Sequence, residues 1–308
     1  MASAEAMSGR RPARRPGALR RAAENASDRA VVGVAQWLAA AGDKAENLET
    51  ALGLIDELSA DCDLIVLPEY WSCGYDPETF AEDVARCAEP LDGPLLGRLC
   101  RLARERGIHL VAGTVPERDG DLCFNTAALI DSSGAIVGRH RKAHMYGPLE
   151  QSSITPGDAI TLFEGTPFGT IGLSICFDGD FPEVARTMRE RGARLVVQPS
   201  AYDHPAERWW ELLYPAHALT NGQCWVLVNQ AGSHRSMSLF GRSQVISPQG
   251  EVIAEAVRAA PGMTPPPDTL VVELPIGVDR DADLAESDIL FTQRRLDLAV
   301  ETFGPVRA

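Results

Sequence analysis

From Ala30 onward, apolar and polar positions fall into short blocks whose period switches between that of a strand and that of a helix. Residues 31–36, Val-Val-Gly-Val-Ala-Gln, are nearly unbroken in apolar character and predict a strand buried on both faces. Residues 43–59 instead place Ala45, Leu48, Ala51, Leu52, Ile55 and Leu58 at helical spacing, and 64–67 return to a short buried strand. The unit is β-α-β. The same reading predicts a helix over 94–106 and strands over 109–113, 124–131 and 135–140. A second set follows, with strands over 161–163 and 169–176, a helix over 181–192, a strand over 194–198, a helix over 206–221 and a strand over 224–229. Residues 243–247 and 251–256 flank Pro248-Gln-Gly250 and read as a hairpin, and 270–274 form the last strand.

Apolar strands alternating with helices imply sheets covered by helices, an α/β class. The hairpins mixed among them argue against a purely parallel sheet. Neither GxGxxG nor GxxxxGK[ST] occurs, so nucleotide binding has no support. A chain of 308 residues with 45% hydrophobic and 23% charged residues can bury a substantial core, and one large domain over 30–276 is expected. Residues 277–308 are charged and poor in strand signals, and read as a C-terminal arm that packs on the domain or on a partner subunit.

The net charge of −14 and a pI near 4.9 exclude nucleic acid as a natural partner, because such binding calls for a basic face. The first 29 residues depart from this, with seven arginines against Glu5, Glu24 and Asp28. A transit peptide or a twin-arginine signal fits poorly, since no apolar stretch follows. A disordered extension over 1–29 is expected, with targeting or a partner contact as the alternatives. Seven scattered cysteines without a CxxC point to a reducing compartment, the cytoplasm. No apolar run approaches a membrane span, so no membrane association is expected. His140 and His144 stand four apart, but the glutamate of HExxH is missing and metal ligation is not expected.

Three strand-end segments carry isolated reactive groups. They are Leu64-Ile-Val-Leu-Pro-Glu69, Gly138-Arg-His-Arg-Lys142-Ala-His, and Gly172-Leu-Ser-Ile-Cys176-Phe-Asp-Gly-Asp-Phe-Pro-Glu183. Taken singly, Cys176 reads as a core thiol, Glu69 as a helix cap or surface carboxylate and Lys142 as a solvated lysine. Together they are the parts of a nucleophilic hydrolase. A thiol with a pKa near 8.5 needs a base or a nearby cation to act as a nucleophile at neutral pH.

In this order and spacing the three segments resemble the nitrilase, or carbon-nitrogen hydrolase, superfamily. Glu150-Gln-Ser-Ser-Ile-Thr-Pro156-Gly157 resembles the family's second-glutamate segment, and Ala218 to Cys224, Asn229 to Gly232, Gly241-Arg-Ser243 and Ser247 to Glu251 match later blocks. The resemblance covers about residues 30 to 275 and implies a four-layer α-β-β-α sandwich with two mixed β-sheets. It also implies pairing of subunits into a homodimer or higher homo-oligomer, with the helices around 182–191 and 209–218 as candidate faces. By the same resemblance Cys176 is the nucleophile, Glu69 the base, Lys142 with the Phe177 N–H the oxyanion donors, and Glu150 a group that orients Lys142. No metal or organic cofactor is implied.

The family's branches cleave amides, N-carbamoyl groups or nitriles, or transfer the acyl group to an amine. Asp178 two residues after the nucleophile favours amide or carbamoyl chemistry over nitrile cleavage. Branches that grip a substrate carboxylate commonly carry arginine where this chain has Gly179-Asp180, which favours a neutral or cationic small amide unless Asp180 faces solvent. Tyr70, Trp71 and Tyr75, then Tyr146, Phe177, Asp180, Ser200, Ala201 and Tyr202 are expected to line the pocket. Asp178 is read mainly as a structural carboxylate. A binding module that has lost catalysis is the remaining alternative, and the intact triad argues against it.

Overall fold

Residues 29–274 and 289–294 are described by the structure, a computed structural model of the chain. In chain order these are β1 (Ala30–Gln36), α1 (Lys44–Leu58), β2 (Leu64–Val66), α2 (Phe80–Cys87), α3 (Pro94–Arg106), β3 (His109–Asp119), β4 (Leu122–Ile130), β5 (Ile136–Arg141) and α4 (Gly147–Ser153). The second half holds β6 (Thr161–Thr166), β7 (Gly169–Leu173), α5 (Pro182–Glu190), β8 (Leu195–Pro199), α6 (Glu207–Asn221), β9 (Cys224–Val228), β10 (Ala231–His234), β11 (Met237–Phe240), β12 (Gln244–Ile246), β13 (Val252–Glu255), β14 (Asp268–Leu274) and α7 (Ile289–Thr292). The N-terminal extension over 1–28 and most of the C-terminal arm lie outside the described residues.

Two six-stranded sheets form, ordered β14-β1-β2-β3-β4-β5 and β13-β12-β9-β8-β7-β6. Each has three parallel central strands (β1-β2-β3 and β7-β8-β9) flanked by antiparallel ones, so both are mixed, as expected. Side chains of the first sheet alternate between two cores, because successive residues of a strand point to opposite faces. Val32, Val34, Leu64, Val66, Val111, Ala127 and Leu129 join Ile171, Leu173 and Val197 between the sheets. Their neighbours Ala35, Ile65, Leu67, Leu110, Ala128 and Ile130 meet Ile55, Leu96 and Leu99 of α1 and α3 on the outside. On the second sheet α5 and α6 supply Val184, Met188, Trp210 and Tyr214. The layers are α-β-β-α.

Local chemistry sets the element ends. Asp43 caps α1 by accepting from the Glu46 N–H, while α3 opens on Pro94 and closes on Gly107 in the left-handed region. At Gly113, with φ +55°, an added Cβ would overlap the Pro68 carbonyl, so the absence of a side chain lets β3 run directly beneath the loop that carries Glu69. The expected strand over 169–176 ends at Leu173, and a 3-10 helix begins at Cys176. The α4 helix and the β10–β11 hairpin are too short for a periodic pattern, while α2, not among the expected elements, does show one in Phe80, Val84 and Cys87.

Residues 289–294 lie against α5. The Phe291 ring lies beneath the guanidinium groups of Arg189 and Arg294, 4.4 and 3.8 Å from its centroid, and Arg294 pairs with Glu190. Among the described residues no helix is long and apolar enough to cross a membrane.

Candidate active site

The three strand ends converge at the C-terminal ends of the parallel strands. Glu69 follows β2, and its backbone N–H donates to the Ser200 carbonyl at 3.3 Å, which ties the loop to the second sheet. Lys142 follows β5. The preceding Arg141 forks onto Glu117 at 2.7 and 2.9 Å and stacks on Phe124, so the chain entering Lys142 is fixed from both sides. Cys176 stands at φ +47°, an unfavourable value for a residue with a Cβ that costs about 1–3 kcal/mol. That conformation breaks the strand ladder and turns the thiol out of the sheet toward Glu69.

A single ammonium organises the centre. Lys142 Nζ lies 2.9 Å from Glu69 Oε1 and 2.8 Å from Glu150 Oε1, and all three side chains are buried. Glu150, near the start of α4, also accepts from the Tyr70 hydroxyl at 2.9 Å and from the Tyr146 N–H at 2.7 Å. Asn125 of β4 donates to Glu69 Oε1 at 2.8 Å. The Glu69 carboxylate and the Ala201 N–H both act on the charge of the Cys176 thiol, which lies beside them.

The electrostatics follow from two carboxylates sharing one cation. Burial, with Glu150 beside it, pushes the Glu69 pKa up, and Lys142 only partly offsets this. Burial opposes the charge on Lys142, but Glu150 and Glu69 outweigh it and hold its pKa well above the usual value. Burial and then Glu69 push the Cys176 thiol well up, against the pull of Lys142 and the Ala201 N–H. With no substrate bound, the thiol is therefore protonated and the lysine charged.

Asp178, two residues after the cysteine, joins the loops of Lys142 and Cys176. It accepts from His140 Nε2 at 3.0 Å, from the Ala143 and His144 N–H groups at 3.1 and 2.8 Å, from His144 Nδ1 at 2.8 Å and from the Ile175 N–H at 3.3 Å. Burial alone would raise its pKa, but hydrogen bonds from His140 and His144 hold the carboxyl well below the usual range. The two histidines thus serve a structural carboxylate.

The expected pocket residues divide. Tyr146 and Phe177, with Phe181 and His144, form a half-buried aromatic group at the rim, with Tyr146 and Phe177 ring centroids 5.3 Å apart. Ala201 and Tyr202 lie beside the thiol and Asp180, while Ser200 is buried and contributes its backbone. Trp71 corrects the expectation. It is fully buried on the outer face of the first sheet, 6.5 Å from the Trp37 ring, and its indole donates to the Ala112 carbonyl at 2.6 Å. Tyr70 is also fully buried and lies behind Glu150, where its hydroxyl is a donor to that carboxylate. Their positions follow from the tight turn after Glu69, in which Tyr70 takes φ +51° and successive side chains leave in opposite directions.

Asn125 was missed, although a carboxamide in the largely apolar run 124–130 was a visible signal. Of the adjacent Trp209 and Trp210 on α6, Trp210 is buried against Tyr202, Tyr214 and Phe240, and Trp209 is exposed. A cavity of about 420 Å³ lined by His109, Phe163 and Phe168 sits at the opposite ends of the strands and contains none of these groups.

This constellation and fold match a known family. The carbon-nitrogen hydrolase pattern fits residues 30–277, and the chain belongs to that family. It is 33% identical over 268 residues to omega-amidase NIT2 of Xenopus tropicalis, covering 83% of this chain and 91% of that one. Among solved structures, a mutant amidase from Nesterenkonia sp. AN1 in complex with butyramide matches with a TM-score of 0.71 at 28% identity, covering 89% of this chain and 97% of the other. A second mutant of that amidase shows covalent addition of the acetamide moiety of fluoroacetamide at its active-site cysteine. It matches with a TM-score of 0.70 at 25% identity and the same coverage. The protein is a nitrilase-superfamily enzyme that hydrolyses carbon-nitrogen bonds.

Proposed function

We propose that the protein hydrolyses a small linear amide through a thioester on Cys176, releasing ammonia or an amine. The observation that carries this reading is the buried Glu69 carboxylate, which pairs with the Lys142 ammonium at 2.9 Å and acts on the charge of the Cys176 thiol. Glu69 takes the thiol proton as sulfur attacks the carbonyl carbon, so the thiolate forms only as it is consumed. Negative charge develops on the carbonyl oxygen, where Lys142 and the Phe177 N–H, in the first turn of the 3-10 helix, are the donors. Protonated Glu69 then delivers its proton to the leaving nitrogen. Water enters, Glu69 deprotonates it, and attack on the thioester frees the acid and restores the thiol.

Glu150 positions rather than reacts, because Lys142, Tyr70 and the Tyr146 N–H already occupy its oxygens. Tyr146, Phe177, Ala201 and Tyr202 border the substrate. The amide preference is supported by the names of the relatives, an omega-amidase and an amidase solved with butyramide. Pairing into a homodimer through α6 is supported by its exposed apolar residues Trp209, Leu212 and Leu219. A cytoplasmic location suits the seven free cysteines.

A panel of amides, N-carbamoyl amines and nitriles, assayed for ammonia and carbon dioxide with and without an added amine, tests the reading. Ammonia from amides, lost in Cys176→Ala, is expected. Carbon dioxide with ammonia would assign carbamoyl substrates, and a new amide formed from the added amine would assign acyl transfer. Retained turnover in Cys176→Ala would overturn the mechanism.

A further inference from the structure

The β3 strand carries one extra residue opposite β4: Val111 pairs with Leu129, but the next pair is Thr114 with Ala127. This is a β-bulge, and it changes which way the following side chains point. Val111 lies in the core between the sheets, whereas Ala112 and Val115, three positions apart, both lie in the outer core. Without the extra residue Thr114 would share the outer face of Ala112, because alternate residues of a strand lie on one face. With it, Thr114 turns inward and meets the loop that leaves β2.

The bulge grips that loop at three points. The Thr114 N–H donates to the Pro68 carbonyl at 3.1 Å, the Thr114 hydroxyl accepts from the Tyr70 N–H at 2.8 Å, and the Ala112 carbonyl accepts from the Trp71 indole at 2.6 Å. The second sheet holds the other side. The Ser200 carbonyl accepts from the Glu69 N–H at 3.3 Å, and Gln230, just beyond β9, donates its carboxamide to the Glu69 carbonyl at 2.7 Å. Gln230 is itself fixed, since its side-chain oxygen accepts from the Ala39 N–H at 2.9 Å. Thr114 and Gln230 are both fully buried, so water has no ready access to either bond.

The Glu69 carbonyl and the Tyr70 N–H belong to one peptide plane. Gln230 takes one end and Thr114 the other, so two groups from different sheets fix its orientation. The chain resists that orientation, because it sets Tyr70 at φ +51°, sparsely populated for a residue with a Cβ. Such strain persists only where the surroundings over-determine it. Freeing the plane lets the turn relax and the Glu69 backbone rotate, and its carboxylate then leaves the positions 2.8 Å from Asn125 and 2.9 Å from Lys142.

We propose that Thr114 and Gln230 are positioning residues for the general base: together they lock the Glu69–Tyr70 peptide and so hold the Glu69 carboxylate against Lys142 and Asn125. This assignment rests on Glu69 being the base for Cys176, as read above, and adds what aims it.

Alkylation of Cys176 by iodoacetamide, followed at that residue by peptide mass spectrometry across the pH range, tests it without any substrate. The thiol gives its proton to the base as sulfur displaces iodide, so the rate reports the base. Thr114→Val keeps the shape and removes the acceptor, and Gln230→Met keeps the length and removes the donor. Each should slow alkylation about tenfold and move its acid limb to higher pH, because a carboxylate parted from Lys142 and Asn125 is harder to ionise. Thr114→Ser, which keeps the hydroxyl, should retain most of the rate. Urea titration in parallel establishes that each variant is folded under the assay conditions. A native rate and acid limb in folded Thr114→Val and Gln230→Met overturns the proposal, as does a Thr114→Ser protein no faster than Thr114→Val. Should Gln230→Met fail to fold, the comparison of Thr114→Val with Thr114→Ser decides. Glu69→Gln isolates the premise. If it alkylates as fast as the native enzyme, the base assignment falls; a slow Glu69→Gln beside fast Thr114→Val and Gln230→Met overturns the lock alone.

Discussion

The Asn125 carboxamide donates to Oε1 of Glu69 at 2.8 Å, on the same oxygen that Lys142 reaches at 2.9 Å. Two donors on one oxygen stabilise the ionised carboxylate and leave Oε2 free of both. Asn125→Ala removes one of them, so the Glu69 pKa, already raised by burial, should rise further. The acid limb of kcat/KM is expected to move to higher pH, with kcat at neutral pH falling about tenfold. A pH-rate profile checks this, and an unmoved acid limb would remove Asn125 from the machinery.

Cys176 and Lys142 should part company when stability is measured. Cys176→Ala deletes the nucleophile but leaves the ion pairs, so turnover should vanish while the urea midpoint stays close to the native value. Lys142→Ala leaves Glu69 and Glu150 buried without their cation, which should cost about 3–5 kcal/mol as well as activity. Equal stability of the two variants would show that the lysine does not hold the site together.

Asp178 predicts a loss that is full above about pH 4 and shrinks in acid. Its folded pKa lies below the unfolded value of about 3.9, so it contributes stability above that pH and loses it as pH falls through the folded value. Asp178→Ala strands five donors and should lose about 3–5 kcal/mol near neutrality, with a flatter dependence on the acid side. Urea titrations from neutral pH downward measure both.

His217 acts in a higher window. Burial lowers its pKa from 6.5 to about 4, a shift that the nearby Gly179 carbonyl only partly offsets. The neutral ring therefore contributes stability that is complete above about 6.5 and declines as pH falls toward 4, by at most about 3 kcal/mol. His217→Gln should flatten that part of the profile. A native-like slope in the variant would assign the decline to other groups.

Much of the fold was legible locally. The α3 helix runs over 94–106 as expected, since Pro94 and Gly107 punctuate it and Leu95, Leu96, Leu99 and Ala103 form one face. The strand over 109–113 extends instead to Asp119, because pairing with β4 carries Glu117 and Arg118 into the ladder despite their polarity. For the site, the blocks around Glu69, Lys142, Glu150 and Cys176 carried their own signal, and the structure gathers all four. Trp71 was misread because a tight turn decides which side of the loop a ring takes, and aromatic identity says nothing about that direction.

By itself the sequence determined the α/β alternation, the breaks after each strand and the reactive groups placed at those breaks. These depend on the period of apolar residues and on backbone chemistry within a few positions. Only the tertiary structure decided that Lys142 is divided between two carboxylates, that Asn125 holds Glu69, and that Tyr202 and Tyr214 converge on one oxygen of Asp180. Those contacts join residues far apart in the chain, and their geometry is set by sheet register and layer packing, which no local pattern encodes.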